Sequence, residues 1–107
     1  MLLAALSGAL AVGAGAFGAH GASGAAAEWL KTGGQYQLIH ALAALVALRF
    51  DARGSAWLFV SGAAIFAGTL YLMALGAPRW LGAITPLGGA LLIAGWLWLA
   101  FAASRGG

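Results

Sequence analysis

The sequence predicts an all-α integral membrane protein: a four-helix bundle with a short interfacial helix between its first two spans. Three observations predict it. The chain is 64% hydrophobic and only 7% charged, whereas a soluble domain of this size carries about 25% charged residues on its surface. Its apolar runs are long, and a span needs roughly 20 residues to cross about 30 Å of hydrocarbon. Four such spans fill most of the 107 residues, leaving short connections and no room for a second, soluble domain. Finally, glycine, alanine and serine recur at three- and four-residue steps. That is the packing device of helices in lipid, where no hydrophobic drive pushes them together.

The first span is read at residues 2–20. Ala14-Gly15-Ala16 resembles a signal-peptide cleavage site, but no basic stretch precedes the apolar run, so a retained span is expected. Ser7, Ala11 and Gly15 fall every four residues and Gly15, Gly18 and Gly21 every three. Gly15 and Gly18 are therefore expected at a close helix approach, the rival being a ligand lying on bare backbone. Ser23 is placed to cap a short interfacial helix near residues 24–31, anchored by Trp29 and carrying Glu28 and Lys31 three apart. Gly33-Gly34 then frees the chain to turn.

Thr32-Gly-Gly-Gln35 has the form of a capping box, so the second span is expected at 33–50. Arg49, Asp51 and Arg53 mark its far side, and Gly54-Ser55 the next turn. The third span is read at 55–75, with Ala64 and Gly68 as its small stripe. Its Thr69 can return its hydroxyl to a carbonyl one turn back, while Tyr71 needs a partner or the interface. Gly76 and Pro78 end it, with Arg79 and Trp80 at headgroup level. The fourth span, about 82–103, either starts at Thr85-Pro86 with proline in the first turn or is kinked there. Gly88, Gly89 and Gly95 allow close packing, Trp96 and Trp98 belong toward the far interface, and residues 104–107 form a tail.

The second span carries the chemistry. Tyr36 and His40 are one turn apart on one face, with Gln37 beside them and Gln35 just before. Polar groups in hydrocarbon cost kilocalories unless paired, so this face is expected to meet other helices or a cavity. Tyr36 and the backbone around Thr85 are the expected partners of His40. His20 ends the first span, so both histidines could lie toward one membrane face. Two imidazoles can bind haem or metal or relay protons; the plainer reading is that each hydrogen-bonds within the bundle. His20, Gln35, Tyr36, Gln37, His40 and Thr85 form the candidate polar site; Gly15, Gly18, Gly68, Gly88 and Gly89 form the packing set.

Several classes are disfavoured. Cysteine is absent, which removes disulfides, thiolate metal sites and cysteine nucleophiles. Glu28 and Asp51, the only acids, sit in different connections, so an acid–base pair is implausible. No catalytic residue, cofactor or metal is expected, and no enzyme. The net charge of +3 comes from singly spaced Lys and Arg, which read as topology and headgroup contacts and not as a nucleic-acid footprint. Lys31 and Arg79 lie on one side and Arg49, Arg53 and Arg105 on the other, which points both termini to the cytoplasm.

With these motifs in place the chain resembles the bacterial family labelled domain of unknown function 423, related to transmembrane protein 256. The resemblance rests on Gly15-Ala-Phe-Gly-Ala-His20-Gly21, Trp29, Thr32-Gly33, Tyr36-Gln37 and His40-Ala-Leu-Ala43. It continues through Gly68-Thr-Leu-Tyr71, Ala74-Leu75, Arg79-Trp80-Leu-Gly-Ala-Ile-Thr-Pro-Leu-Gly-Gly89 and Gly95-Trp96. Ala67-Gly68 departs from a Phe-Ser-like pair expected there, which bears on packing alone. The resemblance implies a small four-helix inner-membrane protein and carries no catalytic role to any residue. Two function classes stand. One is a structural or accessory subunit, packing with itself or with a larger membrane complex of respiratory or photosynthetic type, with lipid as its other neighbour. The other is a carrier or channel for a small solute, lipid or proton along the Tyr36, Gln37 and His40 face.

Overall fold

The computed structural model describes residues 2–106. Among them the chain forms α1 (Leu2–His20), α2 (Gly24–Arg49), α3 (Arg53–Ala74), a 3₁₀ turn over Arg79–Ala83, and α4 (Thr85–Gly106). No strand occurs among the described residues. The α1 and α3 helices and the segment Arg79–Arg105 are each long and apolar enough to cross a membrane. The α2 helix has 26 residues and measures about 39 Å, but Glu28, Lys31, Gln35, Gln37 and His40 dilute its apolar character. The helix that carries the polar residues is the least apolar of the four.

The separate interfacial helix and the Thr32 capping box are corrected. Residues 24–31 are the first turns of α2, which runs unbroken through Gly33-Gly34. The reason is packing on both flanks. A Cβ on Gly33 would come within 2.8 Å of the Tyr71 ring of α3, and one on Gly34 within 2.9 Å of the Ala11 carbonyl of α1. These glycines let three helices converge instead of letting the chain turn. Ser23 occupies the N-cap position, though its side chain makes no cap hydrogen bond.

The tight turns fall elsewhere than Gly54-Ser55, which lies inside α3. After α2, the Ala52 N–H donates to Ala47 O and the Asp51 N–H to Leu48 O, at 2.9 and 3.2 Å. After α3, the same pair of bonds runs from Ala77 to Leu72 and from Gly76 to Met73. Both are Schellman ends. Gly76 takes the left-handed position at φ 106° in one, and Asp51 takes it at φ 57° in the other. Pro86 sits in the first turn of α4, where its missing N–H is harmless. Ser104 and Arg105 belong to α4 and not to a tail; Gly107 lies outside the described residues.

Packing follows chain order: α1 on α2, α2 on α3, α3 on α4, with α1 reaching α3 only lightly. The bundle is therefore an open array with α2 and α3 inside, and α1 and α4 are not closed on one another. The starts of α1 and α3 meet the end of α2 in one core of Ala4, Ala43, Ala44, Ala47, Ala52, Ala56, Phe59, Ala63 and Leu92, against which Leu99 and Ala102 bring the second half of α4. His20, Trp29, Lys31 and Arg79 thus lie at one end, and Arg49, Asp51, Arg53 and Arg105 at the other. The Arg79 guanidinium sits 5.7 Å from the Trp29 ring centre, a cation–π contact between the start of α2 and the 3₁₀ turn.

Residue size is inverted relative to a soluble protein. Among the described residues the interior is chiefly alanine and glycine and Phe59 is the one bulky side chain fully buried, while Leu6, Leu10, Leu42, Trp57, Ile93 and Leu97 are exposed. In lipid an exposed leucine costs nothing, so association rests on close backbone approach and dispersion. A Cβ on Gly18 would stand 2.9 Å from that of Leu30, and one on Gly88 would collide with the Phe66 backbone and come 2.7 Å from the Gly62 carbonyl. Gly68 faces open space, and Gly89 has only ordinary contact with Phe66. The α3 contact face turns on Gly62, Ala63 and Ala67, leaving Ala64 exposed. Gly15 is approached by Gly34, yet its own missing side chain points to open space. Gly95 is a further close approach, where a Cβ would come 2.7 Å from the Phe59 ring.

Two predictions follow from this packing. Single cysteines at Ser23 and Ala77 should label from one face of the membrane, and those at Arg53 and Ser104 from the other. Labelling of Arg53 and Ala77 from a shared face would exclude four crossings. Gly18→Ala and Gly88→Ala should each lower the melting temperature in detergent, at a cost of about 1–3 kcal/mol of overpacking. Gly68→Ala should be neutral or stabilise by up to ~1 kcal/mol through helix propensity. A Gly68 variant that melts as early as the Gly88 variant would contradict the assigned faces.

Candidate functional site

The polar side chains of α2 point into the array because their spacing follows the helix period. Gly33, Gly34, Gln37, His40, Ala41 and Ala44 are buried, while Gln35, Leu38, Ile39 and Leu42 are exposed. Along the axis, Trp29 and Arg49 are about 30 Å apart, one hydrocarbon thickness. On that scale His40 lies about 16 Å from Trp29 and about 14 Å from Arg49. It sits near the middle of that stretch, with Gln37 one turn away.

Gln37 joins three helices. Its Nε2 donates to Ser7 Oγ of α1 at 3.0 Å, and its Oε1 accepts from the Tyr71 hydroxyl of α3 at 2.6 Å. The Tyr71 requirement for a partner is thereby met inside the protein. His40 makes a second tie. Its Nε2 accepts the indole N–H of Trp96 of α4 at 3.0 Å, so Nδ1 carries the proton and donates to Tyr36 O at 2.7 Å. Both ring nitrogens are committed, and the tautomer is set by the network. Phe59 and Trp96 pack on the imidazole, with ring centres 5.6 and 5.9 Å away.

A third tie joins α3 to α4. The Thr69 and Thr85 hydroxyls meet at 2.6 Å, and Thr69 also reaches the Ile65 and Phe66 carbonyls at 2.9 and 3.0 Å. Thr85 reaches Leu81 O at 3.3 Å. Among the described residues, the buried side-chain polar atom without a partner is Ser55 Oγ.

Of the two expected partners of His40, Tyr36 is kept and Thr85 is replaced by Trp96. Tyr36 contributes its backbone carbonyl while its ring lies on the surface against Phe66, ring centres 4.7 Å apart. Thr85 is engaged with Thr69. Trp96, placed by sequence at the far interface, turns its N–H inward to His40. Gln35 is exposed and outside the network, and His20 is exposed at the end of α1. His40 lies about 24 Å along α2 from Gly24, so the two histidines are not brought together. No cluster of three His, Cys, Asp or Glu side chains forms among the described residues. Metal or haem ligation by His40 would first have to break the Trp96 bond. Trp96 and Tyr71 are the partners sequence reasoning missed; the available signal was that an indole N–H or phenol in an apolar interior needs an acceptor.

An all-helical array with its polar groups turned inward and its large apolar residues outward is a small membrane protein. The chain belongs to the family described as protein of unknown function DUF423, whose model matches residues 14–89. It is 42% identical to a UPF0382 membrane protein of Staphylococcus epidermidis, covering 95% of this chain and 92% of that one. It is 40% identical to the UPF0382 membrane protein YwdK of Bacillus subtilis, over 98% and 95% of the two chains. Similarity to the UPF0382 inner membrane protein YgdD of Escherichia coli is 39%, over 98% and 88%. No solved structure matches the chain.

The network predicts graded losses. Gln37→Leu strands the Tyr71 and Ser7 hydroxyls and should destabilise by about 1–2 kcal/mol, the range of interhelical hydrogen bonds in membranes. His40→Leu strands the Trp96 N–H and should cost a similar amount, whereas His40→Gln keeps an acceptor and should cost less. Thermal melts in detergent read the order, and a double-mutant cycle of Gln37→Leu with Tyr71→Phe should show coupling. A His40→Leu protein more stable than wild type would contradict the assigned bonds.

Proposed function

We propose that the chain is a non-catalytic packing protein of the membrane, a structural or accessory subunit that assembles with copies of itself or within a larger membrane complex. The observation that carries this reading is the state of its interior polar groups. Gln37, His40, Thr69, Tyr71, Thr85 and Trp96 are bonded to one another or to backbone, leaving none of them turned to a path for solute or proton. A carrier using the Tyr36, Gln37 and His40 face would have to open two interhelical ties to expose it.

The outer helices support assembly. Both α1 and α4 leave most of their surface uncovered, with Leu6, Leu10, Phe17, Leu87 and Leu97 exposed. In this reading all four helices cross the bilayer. Arg49, Arg53 and Arg105 then lie at one face against Lys31 and Arg79 at the other, which favours both termini in the cytoplasm.

Photo-crosslinking groups placed at Leu10 and Leu87 in native membranes test the assembly. A discrete adduct, at twice the chain's mass or at the mass of the chain plus one partner, is expected from at least one position. Lipid adducts alone at both positions, with a monomer in bilayer discs, would defeat the proposal.

A further inference from the structure

One feature lies apart from the polar network: a groove of about 820 Å³ between the α2–α3 turn and the second half of α4. Its floor and walls are Ala94, Leu97, Trp98 and Phe101, and two charged residues, Asp51 and Arg105, line it as well. We infer that this groove binds one zwitterionic phospholipid with a primary-amine headgroup, of the phosphatidylethanolamine type. The acyl chain lies along α4, the phosphate meets Arg105 and the ammonium meets Asp51.

Length comes first. From Ala94 to Arg105 the helix rises about 16 Å, close to half of the roughly 30 Å hydrocarbon layer. Trp96, joined to His40 near mid-span, lies at the inner end of that stretch. The groove therefore runs from headgroup level to about the bilayer centre, the depth of one leaflet and not of a transverse helix. Its walls suit a hydrocarbon chain, because Leu97 and Phe101 stand one and two turns beyond the small Ala94 on one helix face and are both exposed.

Charge chooses the headgroup. The two ionic residues lining the groove have opposite sign and match a headgroup carrying both signs; Arg49 and Arg53, which flank Asp51 in the chain, lie outside its lining. The Arg105 guanidinium lies 5.5 Å from the Phe101 ring centre, which holds the cation over the groove's apolar wall. Arginine presents a donor fork suited to phosphate. Asp51 is exposed, and among the described residues the one ion pair is Glu28–Lys31, so its carboxylate is free to accept N–H donors. An ammonium supplies such donors and a choline headgroup does not.

The inference requires an inserted chain, and the experiment separates the two. The full chain is reconstituted into bilayers of equal phosphatidylethanolamine, phosphatidylcholine and phosphatidylglycerol with matched acyl chains. It is then extracted in mild detergent and weighed by native mass spectrometry. One retained phosphatidylethanolamine is expected, enriched over the other two lipids. Arg105→Gln should lower retention of phosphatidylethanolamine about tenfold, the loss of one charge-assisted hydrogen bond. Asp51→Asn should abolish the preference for phosphatidylethanolamine over phosphatidylcholine; asparagine tolerates the left-handed backbone there, and melting curves check that both variants fold. A photoactivatable phosphatidylethanolamine should mark the peptide holding Trp98 and Phe101, which keeps the test independent of the variants.

Preference for phosphatidylglycerol, unchanged retention in both folded variants, or photo-adducts confined to other peptides would overturn the inference. So would disulfide capture of a second copy through Leu97→Cys with no lipid retained. A chain that fails to enter the bilayer would instead refute the membrane placement.

Discussion

The amide of Gln37 is the constraint around which the helices arrange. One side chain donates to Ser7 and accepts from Tyr71, so α1 and α3 are held to opposite flanks of α2 at a common depth. In water such bonds would be exchanged with solvent at little net gain. In hydrocarbon the alternative is an unpaired dipole, and three helices share the requirement to avoid it. Register between them is thereby specified, because sliding one helix by a turn would strand two groups at once. His40 does the same toward α4 through Trp96, from about the same depth.

Those bonds form only if the backbones can approach, and the small residues make that approach. Gly33 and Gly34 sit one turn before Gln37 and open α2 to Tyr71 on one side and to the α1 backbone on the other. Gly62 and Gly88 do so for α3 and α4 near the Thr69–Thr85 contact, and Gly95 seats Phe59 next to His40 and Trp96. Polar ties and glycine contacts are thus paired along each interface. The glycines supply dispersion and proximity, and the hydrogen bonds supply specificity, since apolar packing in lipid is tolerant of register.

The ends of the array differ in chemistry. At one end Arg79 lies on Trp29 and Glu28 pairs with Lys31 at 3.6 Å, an exposed ion pair that contributes little. At the other, a Schellman turn places Asp51 among Arg49, Arg53 and Arg105 without an ion pair among the described residues. Asp51 holds a backbone conformation that glycine adopts more cheaply, and it does so beside the groove on α4. A folded interior committed to its own bonds, with its charges at the two ends of the array, directs any recognition to the periphery.

Composition and apolar run lengths by themselves determined that the chain is helical and membrane-embedded, because the solvent is read from how few charges a chain carries. They also determined where α1 and α3 run, that Gly76 and Pro78 follow a helix end, that Pro86 suits a first helical turn, and that Thr69 folds back on its own helix. Each of these is local: a cap, a turn or a hydroxyl within one turn of its acceptor. What only the tertiary structure decided is long-range. Gly33-Gly34 reads as a break by propensity and becomes the tightest part of a continuous helix, because neighbours on both flanks demand the missing side chains. Gly68 has the spacing of a contact glycine and faces open space, since spacing gives a face without saying which face the neighbour takes. His40 was legible as a buried polar group needing partners, but Trp96 lies 56 residues away, and nothing in the local pattern of either residue encodes that pairing. It is set by the depth at which α2 and α4 happen to cross.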